Sequence, residues 1–233
     1  MRNIEKIVTF IPARAGSKRV KLKNLRLLGG HPLISYSILN AKKCFNYKDI
    51  FVNSDSDEIL KIGLELGVST YKRDKLLAND QASGDEFAYD FMKNIDACTC
   101  VMLNPVCPFL SFEDINLALN AYKKSNCDTL ISCEETQMQA FCQDQPVNID
   151  INSTLVPTQN NPIVKILNWA ITIWDVEAFI KRYEVNGFAY IGHNRLLFSI
   201  DKLKGLKIST EKDFKFAESI IQSNLNKDND HKV

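Results

Sequence analysis

The sequence lacks several features that mark whole classes of protein. Among its 233 residues, no apolar run approaches the roughly 18 residues that a membrane-spanning helix needs, so we expect no membrane segment. Its first residues also lack the long apolar stretch of a secretory signal peptide. The formal net charge is only +1, from 29 Lys and Arg against 28 Asp and Glu. This balance argues against partners that are bound through bulk charge, such as nucleic acids and anionic membranes.

Paired cysteines are missing as well. The chain has seven cysteines, an odd number, and no two of them are spaced as CxxC. Disulfide frameworks and zinc sites rely on such pairs, whereas free thiols are typical of a reducing compartment. We therefore expect free cysteines and a cytoplasmic location.

The sequence does contain a regular alternation of short apolar runs and amphipathic segments. Strands are predicted over residues 6–11, 49–55, 68–71, 98–103 and 127–133, and helices over residues 33–44, 57–66, 84–95 and 112–125. Strands that alternate with helices at this spacing predict an α/β fold, with a mostly parallel sheet and helices on both faces.

The pattern changes after about residue 134. Residues 137–162 are polar, rich in Gln and Asn, and show no clean period. Further elements are predicted over residues 166–174 (strand), 175–182 (helix), 196–200 (strand) and 210–225 (helix). We expect a single domain over residues 1–233 with an inserted lobe at about 135–190, which is a candidate contact between two copies of the chain.

The strongest local signal is a basic loop at residues 12–24, directly after the first predicted strand. Five cationic side chains surround Gly16 and Ser17, namely Arg14, Lys18, Arg19, Lys21 and Lys23. Ligands of open α/β sheets bind beyond the carboxyl ends of strands, and a tight-turn glycine there lets backbone N–H groups face an anion beside the cations. The spacing is neither Walker A nor GxGxxG. A solvated basic turn is the alternative, but the position after a strand favours a site for the phosphates of a nucleoside triphosphate.

The basic loop, P-A-R-A-G-S-K-R-V-K-L-K-N, resembles the opening motif of the acylneuraminate cytidylyltransferases. This family comprises the CMP-sialic acid synthetases and their relatives that activate legionaminic, pseudaminic and 3-deoxy-manno-octulosonic acids. Further similar motifs follow in the family's order, H-P-L-I-S-Y-S-I at 31–38, V-N-S-D-S-D-E-I at 52–59, R-D-K-L-L-A-N-D at 73–80, L-N-P-V-C-P at 103–108 and T-E-K-D-F-K-F-A-E at 210–218. The resemblance implies a Rossmann-like nucleotidyltransferase fold with a small dimerisation lobe. It also implies the reaction, in which a sugar hydroxyl attacks the α-phosphate of CTP and pyrophosphate is released.

The resemblance further assigns roles to individual residues. The nucleotide-binding candidates are Ala13, Arg14, Ala15, Gly16, Ser17, Lys18, Lys23, Asn24, Arg73 and Asp80. The catalytic candidates are Arg14 and Lys23, together with Lys207, which departs from the family and is a candidate because of its charge near the phosphates. The candidates for binding the acceptor sugar are Asn104, Lys165 and Asn168. Trp169 and Trp174 are expected in the core or at an interface rather than as a stacking platform.

The sequence departs from the family at the expected metal site. Family members hold catalytic Mg²⁺ with an Asp-x-Asp pair just before the T-E-x-D motif, and here those positions are Lys207 and Ser209. An ammonium group cannot ligate a hard cation and a hydroxyl is a poor substitute. Mg²⁺ is still expected with CTP, although its usual ligands are absent. Either Lys207 replaces part of the charge of the metal, or the metal site has decayed and Lys207 faces solvent.

Two arginines that would pair with a sugar carboxylate are also replaced. Leu110 stands in place of one, and Ile166 stands in place of the arginine of the family's R-P-N-G segment. We therefore predict a CTP-dependent cytidylyltransferase that acts on a small acidic, sialic acid-like sugar for surface glycan synthesis. The alternatives are a cytidylyltransferase for a phosphate or phosphonate compound and a nucleotide-binding relative with a degenerate metal site.

Overall fold

The computed structural model describes residues 6–230, and for residues 224–230 it describes the backbone alone. The strands are β1 (Ile7–Pro12), β2 (Leu27–Leu28), β3 (His31–Pro32), β4 (Ile50–Ser54), β5 (Ser69–Lys72), β6 (Thr99–Leu103), β7 (Thr129–Thr136), β8 (Phe141–Cys142), β9 (Gln145–Pro146), β10 (Val164–Asp175) and β11 (Arg195–Ser199). The α-helices are α1 (Leu33–Lys42), α2 (Asp57–Glu65), α3 (Gly84–Asn94), α4 (Phe112–Lys124), α5 (Val176–Asn186) and α6 (Glu211–Asp230). The predicted strands and helices up to residue 133 are confirmed with small shifts at their ends.

Seven strands form one sheet in the order β11-β7-β10-β6-β1-β4-β5. All neighbouring pairs are parallel except those of β10, which runs antiparallel to both β6 and β7. Every residue of β6 is buried, as expected for a central strand that is covered on both faces. The mostly parallel α/β sheet predicted from the sequence is therefore confirmed, with one antiparallel strand in its middle.

Helices cover both faces of the sheet, and each face has its own core. On one face, α1, α2 and α4 contribute buried apolar side chains such as Ile38, Ile59 and Tyr122. On the other face, α3 and α5 pack against β1 and β10, and the ring of Phe91 stacks on that of Phe10 with centroids 4.6 Å apart. Burial of an aromatic side chain of this size contributes about 1.5–3 kcal/mol, so these contacts fix the sheet between the two helical layers.

A third, smaller core lies beneath α6 and fixes the part of the molecule around the basic loop. Phe214 of α6 is fully buried against Val20 of the basic loop and Leu28 of β2. The guanidinium of Arg26 lies 3.8 Å from the centre of the Phe214 ring and also pairs with Glu211 at 2.6 Å. The loop is therefore attached to the body of the protein at its middle and at both ends.

The range expected for the inserted lobe contains elements of the main body. Strand β10 lies inside the sheet and α5 packs on it, so the segment that leaves the sheet between β7 and β10 is residues 137–163. An antiparallel strand that returns to the sheet has no local signature distinct from that of a hairpin, so the local pattern could not predict the position of β10. Helix α6 is also longer than the predicted 210–225 and runs to Asp230, whereas residues 1–5 and 231–233 lie outside the described residues.

Six cysteines carry free thiols in the described chain, namely Cys44, Cys98, Cys100, Cys107, Cys133 and Cys142. Within the described part of the chain, no helix is long and apolar enough to cross a membrane.

Candidate active site

A cavity of about 460 Å³ opens at the carboxyl ends of β1 and β6, which are parallel neighbours in the middle of the sheet. It is lined by Pro12, Arg14, Ser17, Lys18, Arg19, Val20, Lys23, Asn24, Asp80, Asn104, Pro105, Val106 and Lys207. These residues are distant in sequence and meet here because the carboxyl ends of neighbouring parallel strands share one edge of the sheet. We call this space the loop cavity.

Backbone contacts shape the basic loop. The Ser17 N–H donates to the Ala15 carbonyl at 2.8 Å, and the Ala15 N–H donates to Asp55 Oδ1 at 3.2 Å. Gly16 is not in the left-handed region, and a Cβ placed on it would meet nothing within 4 Å. Leu22 has a φ of 50° instead. The hydrogen bond from Ser17 to Ala15 closes a three-residue turn centred on Gly16, so the expected tight turn is present, but it does not use the left-handed backbone that requires glycine.

Asp80 holds two of the loop cations. Its carboxylate pairs with Arg14 at 3.1 Å and also with Lys18, and Arg14 donates a further hydrogen bond to the Asn79 carbonyl at 3.0 Å. The hydrogen bond from Lys18 holds the pKa of Asp80 below its usual value. Asp80 thus acts as a counterion for the side chains that would otherwise face an anionic ligand.

Lys23 and Lys207 bring two more positive charges to the same cavity. The Lys23 ammonium donates to the Ile208 carbonyl at 2.9 Å, and the Ile208 N–H donates to the Val106 carbonyl at 2.9 Å. Burial lowers the pKa of Lys23, and repulsion from Arg19 and Lys207 lowers it further. An anion in the cavity would relieve this repulsion, so the electrostatics favour a polyanionic ligand.

Asn24 and Ala13 lie deeper than the cations. The Asn24 side chain is 5% exposed, its Nδ2 donates to the Arg14 carbonyl at 3.3 Å, and its Oδ1 has no hydrogen-bond partner among the described residues. The Ala13 N–H donates to the Asn53 carbonyl at 2.9 Å, which fixes the start of the loop to β4. Ala13 therefore shapes the loop through its backbone, and Asn24 lines the cavity while its Oδ1 is buried and unpaired among the described residues.

Arg73 is buried behind the loop and does not line the loop cavity. Its Nε donates to Asn53 Oδ1, its Nη2 donates to the Asn53 carbonyl at 3.1 Å, and its guanidinium lies 4.5 Å from the centre of the Phe87 ring. Burial lowers its pKa to about 10. Arg73 thus braces the end of β4, to which Ala13 is also bound.

A second cavity of about 380 Å³ adjoins the first. It is lined by Gly84, Asp85, Met102, Asn104, Trp169, Tyr190, Ile191 and Lys207. Asn104 and Lys207 line both cavities, so they stand at the junction between them. Asn104 is fixed there because its N–H donates to the Ala170 carbonyl at 3.0 Å. We call this space the junction cavity.

Lys165 and Asn168, the other two candidates for binding the acceptor, line neither cavity. Lys165 pairs with Glu135 at 3.2 Å. Asn168 Oδ1 accepts hydrogen bonds from Ser132 Oγ at 2.6 Å and from the Ala170 N–H at 3.2 Å, which ties β10 to β7. In this conformation, both side chains contact residues of β7 and not a ligand cavity.

The residues around the loop cavity do not fit a protein-held divalent cation. Among the described side chains, no group of three His, Cys, Asp or Glu residues could hold a metal ion. Ser209 and Thr210 donate their backbone N–H groups to Asp213 Oδ2 at 2.9 and 2.7 Å, so this carboxylate caps α6. Asp80 is paired with cations. Mg²⁺ prefers carboxylates that are free to coordinate it, and the Lys207 ammonium stands where the motif comparison places one of them.

Five residues of the junction cavity were not singled out from the sequence, namely Gly84, Asp85, Met102, Tyr190 and Ile191. Asp85 Oδ1 accepts the backbone N–H groups of Ala189 and Tyr190, the latter at 2.7 Å, and Tyr190 donates its hydroxyl to Met102 Sδ at 3.0 Å. Trp169 faces the same space, although it was expected in the core or at an interface. No periodicity could have found these residues because distant segments bring them together. Trp174, by contrast, is fully buried as expected.

Comparisons with known proteins agree with this arrangement. A model of the family described as cytidylyltransferase matches residues 8–225. The chain is 29% identical over 231 residues to the post-translational flagellin modification protein B of Campylobacter coli, covering 94% of this chain and 96% of the relative. It is 27% identical over 235 residues to the CMP-N,N'-diacetyllegionaminic acid synthase of Legionella pneumophila, covering 94% and 97%.

A solved structure has the same fold. It is a CMP:2-keto-3-deoxy-manno-octonic acid synthetase in complex with CTP, and the match has a TM-score of 0.72 at 15% identity, covering 94% of this chain and all of that chain. The match of the family model spans nearly the whole described chain, including the basic loop and both cavities. The chain belongs to the cytidylyltransferase family.

Proposed function

We propose that this chain is a CTP-dependent cytidylyltransferase that transfers CMP to an acidic, sialic acid-like sugar and releases pyrophosphate. The observation that carries the proposal is the junction of two cavities at Lys207 and Asn104. The loop cavity collects cations suited to a triphosphate, and the junction cavity offers a mixed polar and aromatic space beside it for an acceptor. The names of the similar proteins support the same donor and the same class of acceptor.

In this mechanism the basic loop holds the triphosphate. Arg14, Lys18 and Lys23 contact phosphate oxygens, with Ser17 and the backbone of Ala15 and Gly16 beside them on the loop. Asn24 lines the loop cavity beside these cations and contacts the cytosine or ribose side of the nucleotide. Arg73 keeps the end of β4 in place and acts on the nucleotide through the start of the loop. Fixed cations stabilise the charge that builds on the leaving pyrophosphate, and this is the main demand of phosphoryl transfer.

Lys207 has a separate role at the junction. The acceptor hydroxyl attacks the α-phosphorus of CTP, a new P–O bond forms, and the bond to the β-phosphate oxygen breaks. The Lys207 ammonium, shared by both cavities, supplies positive charge next to the transferred group, where the protein offers no carboxylate pair for Mg²⁺. Asn104 offers an amide to the acceptor at the same junction. Any Mg²⁺ in the reaction would therefore be bound chiefly by the triphosphate itself.

The proposal extends to assembly and location. Residues 137–163 carry several exposed apolar side chains, among them Met138, Phe141, Ile151 and Leu155. These exposed apolar side chains in one segment support a homodimer in which the segment is buried, because apolar surface at contact sites is covered by the partner. The free thiols support a cytoplasmic location. Light scattering on the purified chain tests the dimer, and a single mass of about 26.5 kDa would contradict it.

The test of the function is pyrophosphate release from each of the four nucleoside triphosphates, with and without Mg²⁺. The acceptors are a panel of 2-keto-3-deoxy sugar acids and one sugar phosphate. We expect release with CTP and at least one sugar acid, and with no other triphosphate at a comparable rate. Turnover with the sugar phosphate alone would replace the proposed acceptor by a phosphorylated compound, and no turnover with any pair would refute the proposed function.

A further inference from the structure

Trp169 adopts a backbone conformation that is unusual for a bulky residue. Its φ is +61°, in the left-handed region that favours glycine. It lies in β10, within an irregularity where the register against β7 shifts between Leu167 and Thr172. The four residues 166–169, I-L-N-W, are those compared with the family's R-P-N-G segment, so tryptophan stands where that segment has its glycine. Tryptophan, which disfavours the left-handed conformation, thus stands in place of glycine, which adopts it most readily.

Neighbouring groups hold the irregularity in place. Asn168 Oδ1 accepts from Ser132 Oγ at 2.6 Å and from the Ala170 N–H at 3.2 Å, and Ser132 Oγ accepts from the Ile171 N–H at 2.9 Å. On the other side, a Cβ on Gly205 would lie 2.3 Å from Asn168 Nδ2, so only glycine fits there. The position of Trp169 is therefore built into the sheet rather than being a loose surface conformation. Backbone strain that is fixed in this way concentrates at functional sites.

The indole ring of Trp169 lines the junction cavity. Its ring centre lies 5.4 Å from that of Tyr190, at an interplanar angle of 49°. Tyr190 is itself fixed, since its carbonyl accepts from Trp174 Nε1 at 2.9 Å and its hydroxyl contacts Met102. Trp169, Tyr190 and Met102 give the cavity an apolar part, whereas Lys207 and Asp85 give it charged groups.

We propose that Trp169 is a specificity-determining residue of the junction cavity, and that its indole packs on the acyl substituent of an acylated sugar acid. This inference rests on the proposed cytidylyltransferase function and deepens it. Aromatic side chains bind the apolar parts of ligands through their faces, and Lys207 lines the same cavity as a contact for the polar parts of the acceptor. Asn168 is a positioning residue, which acts on the acceptor only through the backbone of Trp169.

The experiment compares acylated and non-acylated 2-keto-3-deoxy sugar acids as acceptors for wild type, Trp169→Gly and Trp169→Phe. In Trp169→Gly, we expect kcat/KM for acylated acceptors to fall about tenfold or more, because an apolar contact of this size discriminates by one to two orders of magnitude. The preference over non-acylated acids should shrink by a similar factor, whereas the KM for CTP should stay within about twofold. Trp169→Phe should retain most of the preference.

The unfolding temperature of Trp169→Gly distinguishes a role of Trp169 in acceptor specificity from a role in packing alone. Glycine suits the left-handed backbone, so Trp169→Gly should unfold at a temperature no lower than wild type, although a large side chain has been removed. Gln143→Gly is the matched control. Gln143 also has a positive φ, of 49°, but it lies in the segment outside both cavities, so its replacement should leave the acceptor preference unchanged.

Binding can also be followed without turnover. Trp174 is fully buried, so the change in tryptophan fluorescence on adding an acylated acid should come from Trp169 and should vanish in Trp169→Phe. This readout, with Trp169→Phe, decides the question if Trp169→Gly does not fold. An unchanged acceptor preference in folded Trp169→Gly, or an unchanged fluorescence response in Trp169→Phe, would overturn this inference and leave the proposed function standing. Failure of the wild type to use any sugar acid would instead refute the proposed function.

Discussion

At the scale of single residues, the basic loop and its partners set the chemistry. Lys23 has a lowered pKa because it is partly buried and lies near other cations, and Asp80 has a lowered pKa because Lys18 donates to it. Lys207 is exposed and lines both cavities. The positive charges around the loop cavity contribute to both pKa shifts. The pKa values of Lys23 and Asp80 should therefore change when a polyanion enters the cavity.

The pKa of Lys23 predicts a pH dependence of CTP binding. The lowered pKa means that the free protein gives up this proton at a lower pH than an ordinary lysine would, and binding of a triphosphate requires the charged form. CTP affinity should therefore be full below this lowered pKa and should fall as pH rises through it, before the usual lysine range near 10.5. Lys23→Arg should move the decline to higher pH, because arginine stays charged. Calorimetric titration with CTP across alkaline pH measures this, and identical profiles for the two proteins would contradict it.

The charge of Lys207 predicts an effect on turnover rather than on nucleotide binding. Lys207→Met should lower kcat by about 10²–10³-fold, the usual cost of removing one preorganised electrostatic contact to the transition state. The KM for CTP should change far less, since the loop cations remain. Lys212→Met is the control, because Lys212 is exposed on α6 and lines neither cavity. Equal kcat values for Lys207→Met and wild type would show that Lys207 only faces solvent.

The double variant Lys207→Asp, Ser209→Asp tests the relation of Lys207 to the metal. It restores the acidic pair that the motif comparison predicts and removes the fixed cation, so its activity should depend on Mg²⁺ more steeply than that of wild type. A titration of initial rate against Mg²⁺ concentration measures this dependence. If the plots of initial rate against Mg²⁺ concentration are the same for the variant and wild type, the hypothesis that Lys207 replaces part of the charge of the metal is refuted.

At the scale of elements, α6 fixes the basic loop through the third core. Phe214→Ala should lower the free energy of unfolding by about 3–5 kcal/mol, because it removes a fully buried ring between α6, the loop and β2. Phe216→Ala is the matched control on the same helix. Phe216 is 55% exposed, so its loss should cost much less. Chemical denaturation measures both variants, and equal losses would contradict this packing.

The elements also show how far the sequence could predict this protein. The strands and helices up to residue 133 follow from local periodicity, and the basic loop follows from its place after β1. The antiparallel insertion of β10 could not be predicted, because its pairing with β6 and β7 depends on long-range contacts. The same holds for the left-handed backbone of Trp169, which lies beside Asn168, a residue that accepts a hydrogen bond from Ser132 of a different strand. The order of motifs predicted the family, whereas the junction cavity could be found only from the folded chain.

At the scale of the whole molecule, the sheet brings a cationic cavity and an aromatic cavity together at one edge. The two share Lys207 and Asn104, so a nucleotide in one and an acceptor in the other would meet there. The segment 137–163 lies outside the seven-stranded sheet and connects the end of β7 to the start of β10. This layout accounts for a transfer reaction better than for simple nucleotide binding, since binding alone requires no second cavity.

The most direct test of this central claim is ³¹P NMR of the products formed from CTP and an acylated 2-keto-3-deoxy sugar acid. We predict one new phosphodiester resonance, from CMP joined to the sugar, which grows in step with pyrophosphate at a one-to-one ratio. Release of pyrophosphate with free CMP, and no linked product, would contradict transfer to the acceptor.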